Sequence, residues 1–147
     1  MTWEVKAMSE MIMEYTGGLS TKVKSSESGA TLCTDAPKSH GGKGVEFSPT
    51  DLFAIALGSC VLTIMGIQAK KLGVSFEGVK AKITKNQGAV PGGIGEILVH
   101  VYYPGSIESS LKEKLEKAAM HCPVHQSIDP KVKQQIVFHW EHPLGEG

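Results

Sequence analysis

Two cysteines in this chain sit where a thiol could do chemistry. The first closes the run Ser48-Pro49-Thr50-Asp51-Leu52-Phe53-Ala54-Ile55-Ala56-Leu57-Gly58-Ser59-Cys60, and the second lies in His121-Cys122-Pro123-Val124-His125. Each stretch reads as the middle or end of a helix and places its sulfur on an apolar face. Two thiols held by separate helices suggest redox chemistry more than a disulfide staple. Taken alone, Cys60 reads as a core residue, because free cysteine is among the most buried residue types. Cys33, between Leu32 and Thr34 in a short strand, reads as structural.

Other chemistries fit less well. His121, Cys122 and His125 could ligate a metal with His40, His100 or Cys60, but no paired CxxC or HExxH spacing supports zinc. Gly41-Gly42-Lys43-Gly44 is a fragment of a phosphate loop without the rest of its pattern. The expectation is therefore no metal and no cofactor.

The elements that must hold the thiols are legible from local signals. Ser48 suits a helix N-cap and Pro49 the first helical position. Asp51 places negative charge in the first turn, and Lys70 and Lys71 precede Gly73 at the other end. The spacing predicts a helix to Leu72 in which Phe53, Ala56, Leu57, Ile64 and Ile67 share the face of Cys60. Gly58 and Ser59 would let another backbone approach closely.

Ser106 to Met120 reads as an amphipathic helix with the stripe Ile107, Leu111, Leu115, Ala118, which Cys122 continues. Pro123 disfavours helix at Cys122, so this thiol falls at a helix end. Alternation predicts strands around Gly17-Gly18, at 30–34, at 79–85, at 96–103 and at 136–140. The segment 35–44 reads as a mobile loop, and 88–95 as a turn. Residues 1–147 fit one domain, long enough for a real core.

Composition narrows the partners. Fifteen cations balance fifteen anions, which excludes a strong electrostatic pull toward nucleic acid or an anionic membrane. Every cation is a lysine; the chain has no arginine. Three cysteines are too few for a disulfide framework, and Met1-Thr2-Trp3-Glu4-Val5-Lys6 lacks the pattern of a secretory signal. The expected location is a reducing cytoplasm. Residues 52–69 carry no charge and approach membrane-spanning length, but the soluble-type cap and the glycines favour a core helix.

In order and together, Pro-Thr-Asp-Leu-Phe-Ala-Ile-Ala-Leu-Gly-Ser-Cys, the long helix and the downstream Cys-Pro-Val resemble the OsmC/Ohr family, named for osmotic induction and organic hydroperoxide resistance. The resemblance covers nearly the whole chain. It implies an OsmC-like α+β fold, with antiparallel sheets wrapped around two central helices in an intertwined homodimer. It also implies a thiol peroxidase acting on organic hydroperoxides in the oxidative stress response. Cys60 would be the peroxidatic thiol, Cys122 the resolving one, and a dithiol the reductant.

Such chemistry needs a thiolate, and at an unperturbed pKa only about 3% of a cysteine is ionised at pH 7. Well-studied members use an arginine held by a glutamate just after the helix-start proline. Here Thr50 follows Pro49, with Asp51 one residue on. Lys22, Lys24, His121 or His125 are the candidate substitutes, although a lysine cannot reproduce the planar arginine fork. The residues so singled out are Cys60 and Cys122, with Asp51, Lys22 and His121 in support. The alternative is a non-catalytic protein that holds a small apolar or thiol-containing molecule.

Overall fold

The computed structural model describes residues 9–87 and 90–145. The element order is β1 (Met11–Gly17), β2 (Ser20–Ser25), β3 (Thr31–Asp35), α1 (Pro49–Leu72), β4 (Lys80–Asn86), β5 (Glu96–Tyr103), α2 (Ser109–Ala119), α3 (Pro123–Ser127) and β6 (Lys133–Trp140). The expected α+β class is what the structure shows: two three-stranded sheets with helices between them in the chain. By contact density the chain divides into two compact units, Met1–Leu52 and Phe53–Gly147.

The first unit is the meander β1-β2-β3 and the loop that follows it. Its hairpin turns at Gly17, Gly18 and Leu19, all with positive φ, which the two glycines adopt without a steric penalty. The segment after β3 is anchored, in contrast to the mobile loop expected. Asp35 is buried, accepts a hydrogen bond from the Ser20 hydroxyl, and accepts from the Val45 and Glu46 amides at 3.1 and 2.9 Å. Those donors hold its carboxyl below the ordinary carboxylate range, the Ser20 bond contributing most. Gly42 is tied to the same fold-back: a Cβ there would lie 1.9 Å from the Ala36 carbonyl oxygen.

The second unit carries the main core. Alternation along β5 buries Ile97, Val99, Val101 and Tyr103 and turns the residues between them outward. Along α1, Ala54, Leu57, Val61, Met65 and Ala69 recur every three or four residues and are buried. With Leu115, Ala119 and Cys122 they form one apolar cluster. Each large side chain so buried contributes about 1.5–3 kcal/mol. Gly58 is the point of closest approach, since a Cβ there would lie 2.2 Å from Cδ1 of Ile83 on β4.

Two expectations are corrected here. The second sheet is not wholly antiparallel: β4 runs antiparallel to β5, but β6 runs parallel to it. The cause is the connection, because the chain passes through α2 and α3 before returning, and such a crossover delivers a parallel strand. The face assigned to Cys60 also divides. Leu57 points into the core, whereas Phe53 and Ile67 stay 44% and 48% exposed. By length and composition α1 could cross a membrane, and a third of its most apolar window is buried within the chain.

Two stability predictions follow from these contacts. Gly58→Ala should cost about 1–3 kcal/mol by overpacking against Ile83. Trimming the neighbour in Gly58→Ala/Ile83→Val should restore part of it, as read from urea midpoints. Because the folded carboxyl of Asp35 titrates below its unfolded value of 3.8, its contribution is present above that value and is lost as pH falls through the folded one. The protection of the Val45 and Glu46 amides, taken relative to their intrinsic exchange at each pH, should fall in acid, and Asp35→Asn should remove that fall.

Candidate functional site

The site begins with the cap that starts α1. Ser48 Oγ accepts from the Asp51 amide at 3.1 Å, and Asp51 Oδ2 accepts from the Ser48 amide at 2.9 Å. This reciprocal pair is a capping box. It fixes where the helix starts, and therefore which way a residue about two and a half turns later points. Asp51, expected as support for the thiol, has this structural role at the helix start.

Cys60 is half-buried and lies against the core cluster of the second unit. Its neighbours along the helix differ by face: Leu57 and Val61 are buried, while Phe53 and Ala56 line an open groove. The groove holds about 280 Å³, and its other wall is Pro123, Val124, Ser127 and Ile128 from α3 and the residue after it. Its lining is apolar apart from the Ser127 hydroxyl, which donates to the Pro123 carbonyl at 2.8 Å.

Cys122 is fully buried and caps α3. Pro123 at the first helical position ends α2 and lets α3 begin. The Cys122 sulfur accepts from the His125 amide at 3.4 Å. Burial pushes the Cys122 thiol above its ordinary value; the adjacent Cys60 raises it further, as hydrogen-bond partner and as like charge. The amides of His125 and Val124 act in the opposite direction. The structure thus brings together the two thiols that the sequence places in separate helices.

The remaining candidates are placed as follows. Lys22, on β2 of the first unit, has Glu14 and Cys33 as cross-strand partners. Cys33 is exposed, unlike an ordinary core cysteine. His121 is exposed at the end of α2, where its amide donates to the Ala118 carbonyl at 3.0 Å. Among the described residues no group of three or more His, Cys, Asp or Glu is arranged to hold a metal ion. On the outer face of the second sheet, His100 Nδ1 and His139 Nε2 are 2.9 Å apart with ring centres 5.2 Å apart. The rings meet end to end, a geometry of one shared proton rather than of two donors converging on a metal.

One residue near the thiols went unnoticed in the sequence. Gln134, on β6, faces His125: its Oε1 is 2.6 Å from His125 Nδ1, and its Nε2 donates to the His125 carbonyl at 3.1 Å. No local signal marks it, because a glutamine in an alternating strand is an ordinary polar residue.

Comparison with known proteins agrees with this geometry. The family model described as OsmC-like protein matches residues 40–137. An uncharacterised protein of Acinetobacter baylyi is 30% identical over 112 residues, 74% of this chain and 77% of that protein. A Psychrobacter arcticus structure, described as an osmotic-stress-induced and detoxification-response protein, superposes with a TM-score of 0.86. It is 33% identical, over 92% of this chain and 99% of that one. An organic hydroperoxide resistance protein of Legionella pneumophila shares the fold, with a TM-score of 0.68 and 23% identity over 90% and 98% of the two chains. With the family model matched over most of its length and its two thiols side by side in the second unit, this chain belongs to the OsmC-like protein family.

Proposed function

We propose that this protein is a thiol-dependent peroxidase that reduces organic hydroperoxides in the oxidative stress response. The observation that carries the reading is the pairing of Cys60 with Cys122 beside an apolar groove. The Cys60 thiolate attacks the distal oxygen of the hydroperoxide. The O–O bond breaks, the sulfur becomes a sulfenic acid, and the alkoxide leaves and takes a proton to become an alcohol. Cys122, as thiolate, attacks the sulfenic sulfur; the S–O bond breaks, hydroxide leaves as water after protonation, and a disulfide forms. An external dithiol reduces it by two exchange steps and is itself oxidised to a disulfide.

The groove supports an organic rather than an inorganic peroxide, since Phe53, Ala56, Pro123, Val124 and Ile128 offer apolar contact and little to hydrogen-bond. The description of the Legionella relative as a hydroperoxide resistance protein points the same way. The chemistry suits a reducing cytoplasm, where a disulfide once formed is returned to thiols. The family match spans 40–137 and so crosses the division between the two compact units, which supports residues 1–147 acting as one OsmC-like domain. A second reading, a binding protein without turnover, is favoured by one observation: the chain has no arginine to stabilise the Cys60 thiolate.

The functional unit in this proposal is a homodimer. Within the single chain α1 leaves Phe53 and Ile67 uncovered, and β1 exposes Met11, Ile12, Met13 and Tyr15 at 60–65% each. Exposed apolar side chains of this kind support an interface with a second copy of the chain. Light scattering should give twice the 15.7 kDa chain mass; a monomer at micromolar concentration would remove the dimer from the proposal.

Turnover decides between the two readings. Reduced protein with a dithiol should consume cumene hydroperoxide. Cys60→Ser should abolish consumption, and Cys122→Ser should allow one turnover and leave a sulfenic acid that a dimedone-type reagent traps. Consumption unchanged in Cys60→Ser would rule the peroxidase out. No consumption by the intact protein, with both thiols still free, would favour the binding reading.

A further inference from the structure

The thiol pair leaves one nearby arrangement unexplained. Gln134 contacts His125 at two points, the ring and the main-chain carbonyl. A glutamine Oε1 can only accept, so His125 Nδ1 carries the proton in this contact. The paired bonds tie α3 to β6. They also fix the residue whose amide is directed at the Cys122 sulfur, at 3.4 Å.

We propose that Gln134 is a positioning residue for the Cys122 thiol: by clamping His125 it holds the amide that faces the sulfur. The proposal rests on the reading of Cys122 as the resolving cysteine. Its physical logic follows from burial. Cys122 is fully buried, and desolvation disfavours the thiolate it needs for attack. The His125 and Val124 amides stabilise the charged form, and a hydrogen bond to a charge is stronger than one between neutral groups. Such an amide helps only while it stays in place, and α3, five residues long, is too short to hold itself rigid in isolation. The Gln134 side chain supplies the missing restraint from a strand whose register is fixed, with Gln134 opposite Ile97 in the parallel ladder.

The test is a titration that needs no peroxide. In full-length Cys33→Ser/Cys60→Ser protein, Cys122 is the remaining thiol, and its ionisation is followed by thiolate ultraviolet absorbance. Gln134→Leu keeps the bulk and removes both bonds. It should move the midpoint up by about half a unit, roughly threefold less thiolate at a fixed pH below the midpoint. His125→Phe, which keeps the backbone amide but loses the ring contact, should shift it in the same direction. The double variant should move the midpoint no further than the larger single shift, because both substitutions break one clamp.

An unchanged midpoint in folded Gln134→Leu would overturn the proposal, as would additive shifts in the double variant. A downward shift, the mark of a loosened site that admits water, would overturn it too. Should Gln134→Leu fail to fold, Gln134→Glu serves. It retains the acceptor for Nδ1 and loses the donor to the carbonyl, and its predicted midpoint lies above that of the parent; no shift would again overturn the clamp. A peroxidase assay that fails while these shifts are observed would remove the catalytic reading and leave the clamp standing.

Discussion

Everything in the second unit depends on how α1 meets the sheet formed by β4, β5 and β6. The helix is apolar on nearly every side, so its own sequence does not choose a buried face. Burial of Leu57, Val61 and Met65 with Ile97, Val99 and Val101 makes that choice, and the absent side chain at Gly58 allows the approach that Ile83 completes. Once this face is committed, Cys60 has only one place to go. It sits at the margin, half-buried against the core cluster and about one helical turn from Ala56 in the groove wall. A thiol fully inside could not meet a substrate, and one fully outside would lose its buried partner.

The ends of α1 were readable because they are set by local chemistry. Ser48, Pro49 and Asp51 at one end and Gly73 at the other act within four residues, and the helix runs as they specify. The strands were readable from alternation to within a residue or two in most cases. The direction of β6 was not, because an alternating strand reads the same whether its neighbour is parallel or antiparallel; only the crossover through α2 and α3 settles it. The face of Cys60 was half legible. Spacing collects residues that share a helical face, but a helix with apolar residues all round offers several such faces. The outcome depends on β5, more than thirty residues away in the chain.

The supporting residues show the same limit more sharply. Asp51 drew attention by its charge and its position near the family's glutamate, and its observed bonds to Ser48 are what the Ser-x-x-acid pattern describes. Lys22 lies on β2 of the first unit, and what a strand residue meets beyond its own sheet is not written in the strand. Gln134 carried no signal, although it reaches the residue that faces the Cys122 sulfur, because its partner is nine residues back and on a different kind of element. Cysteines announce themselves by rarity; the polar groups that tune them are common residue types made special by contact alone.

That asymmetry bears on how a chain without arginine could run this chemistry. Of the two thiols, the one whose environment is visibly built is Cys122: buried, capped by its own short helix, opposed by Cys60 and served by two amides. Burial and the second sulfur push its proton on; the amides pull the other way. As the resolving thiol of the proposed reaction, Cys122 would profit from that balance: held mainly as a thiol, it would not compete with Cys60 for oxidant. Oxidation of Cys60 to a neutral sulfenic acid in the proposed reaction would remove the like-charge part of its effect on Cys122, the smaller part beside the hydrogen bond between the two. In that reaction the oxidation state of one sulfur would thereby bear on the ionisation of the other, without a cation in the pair.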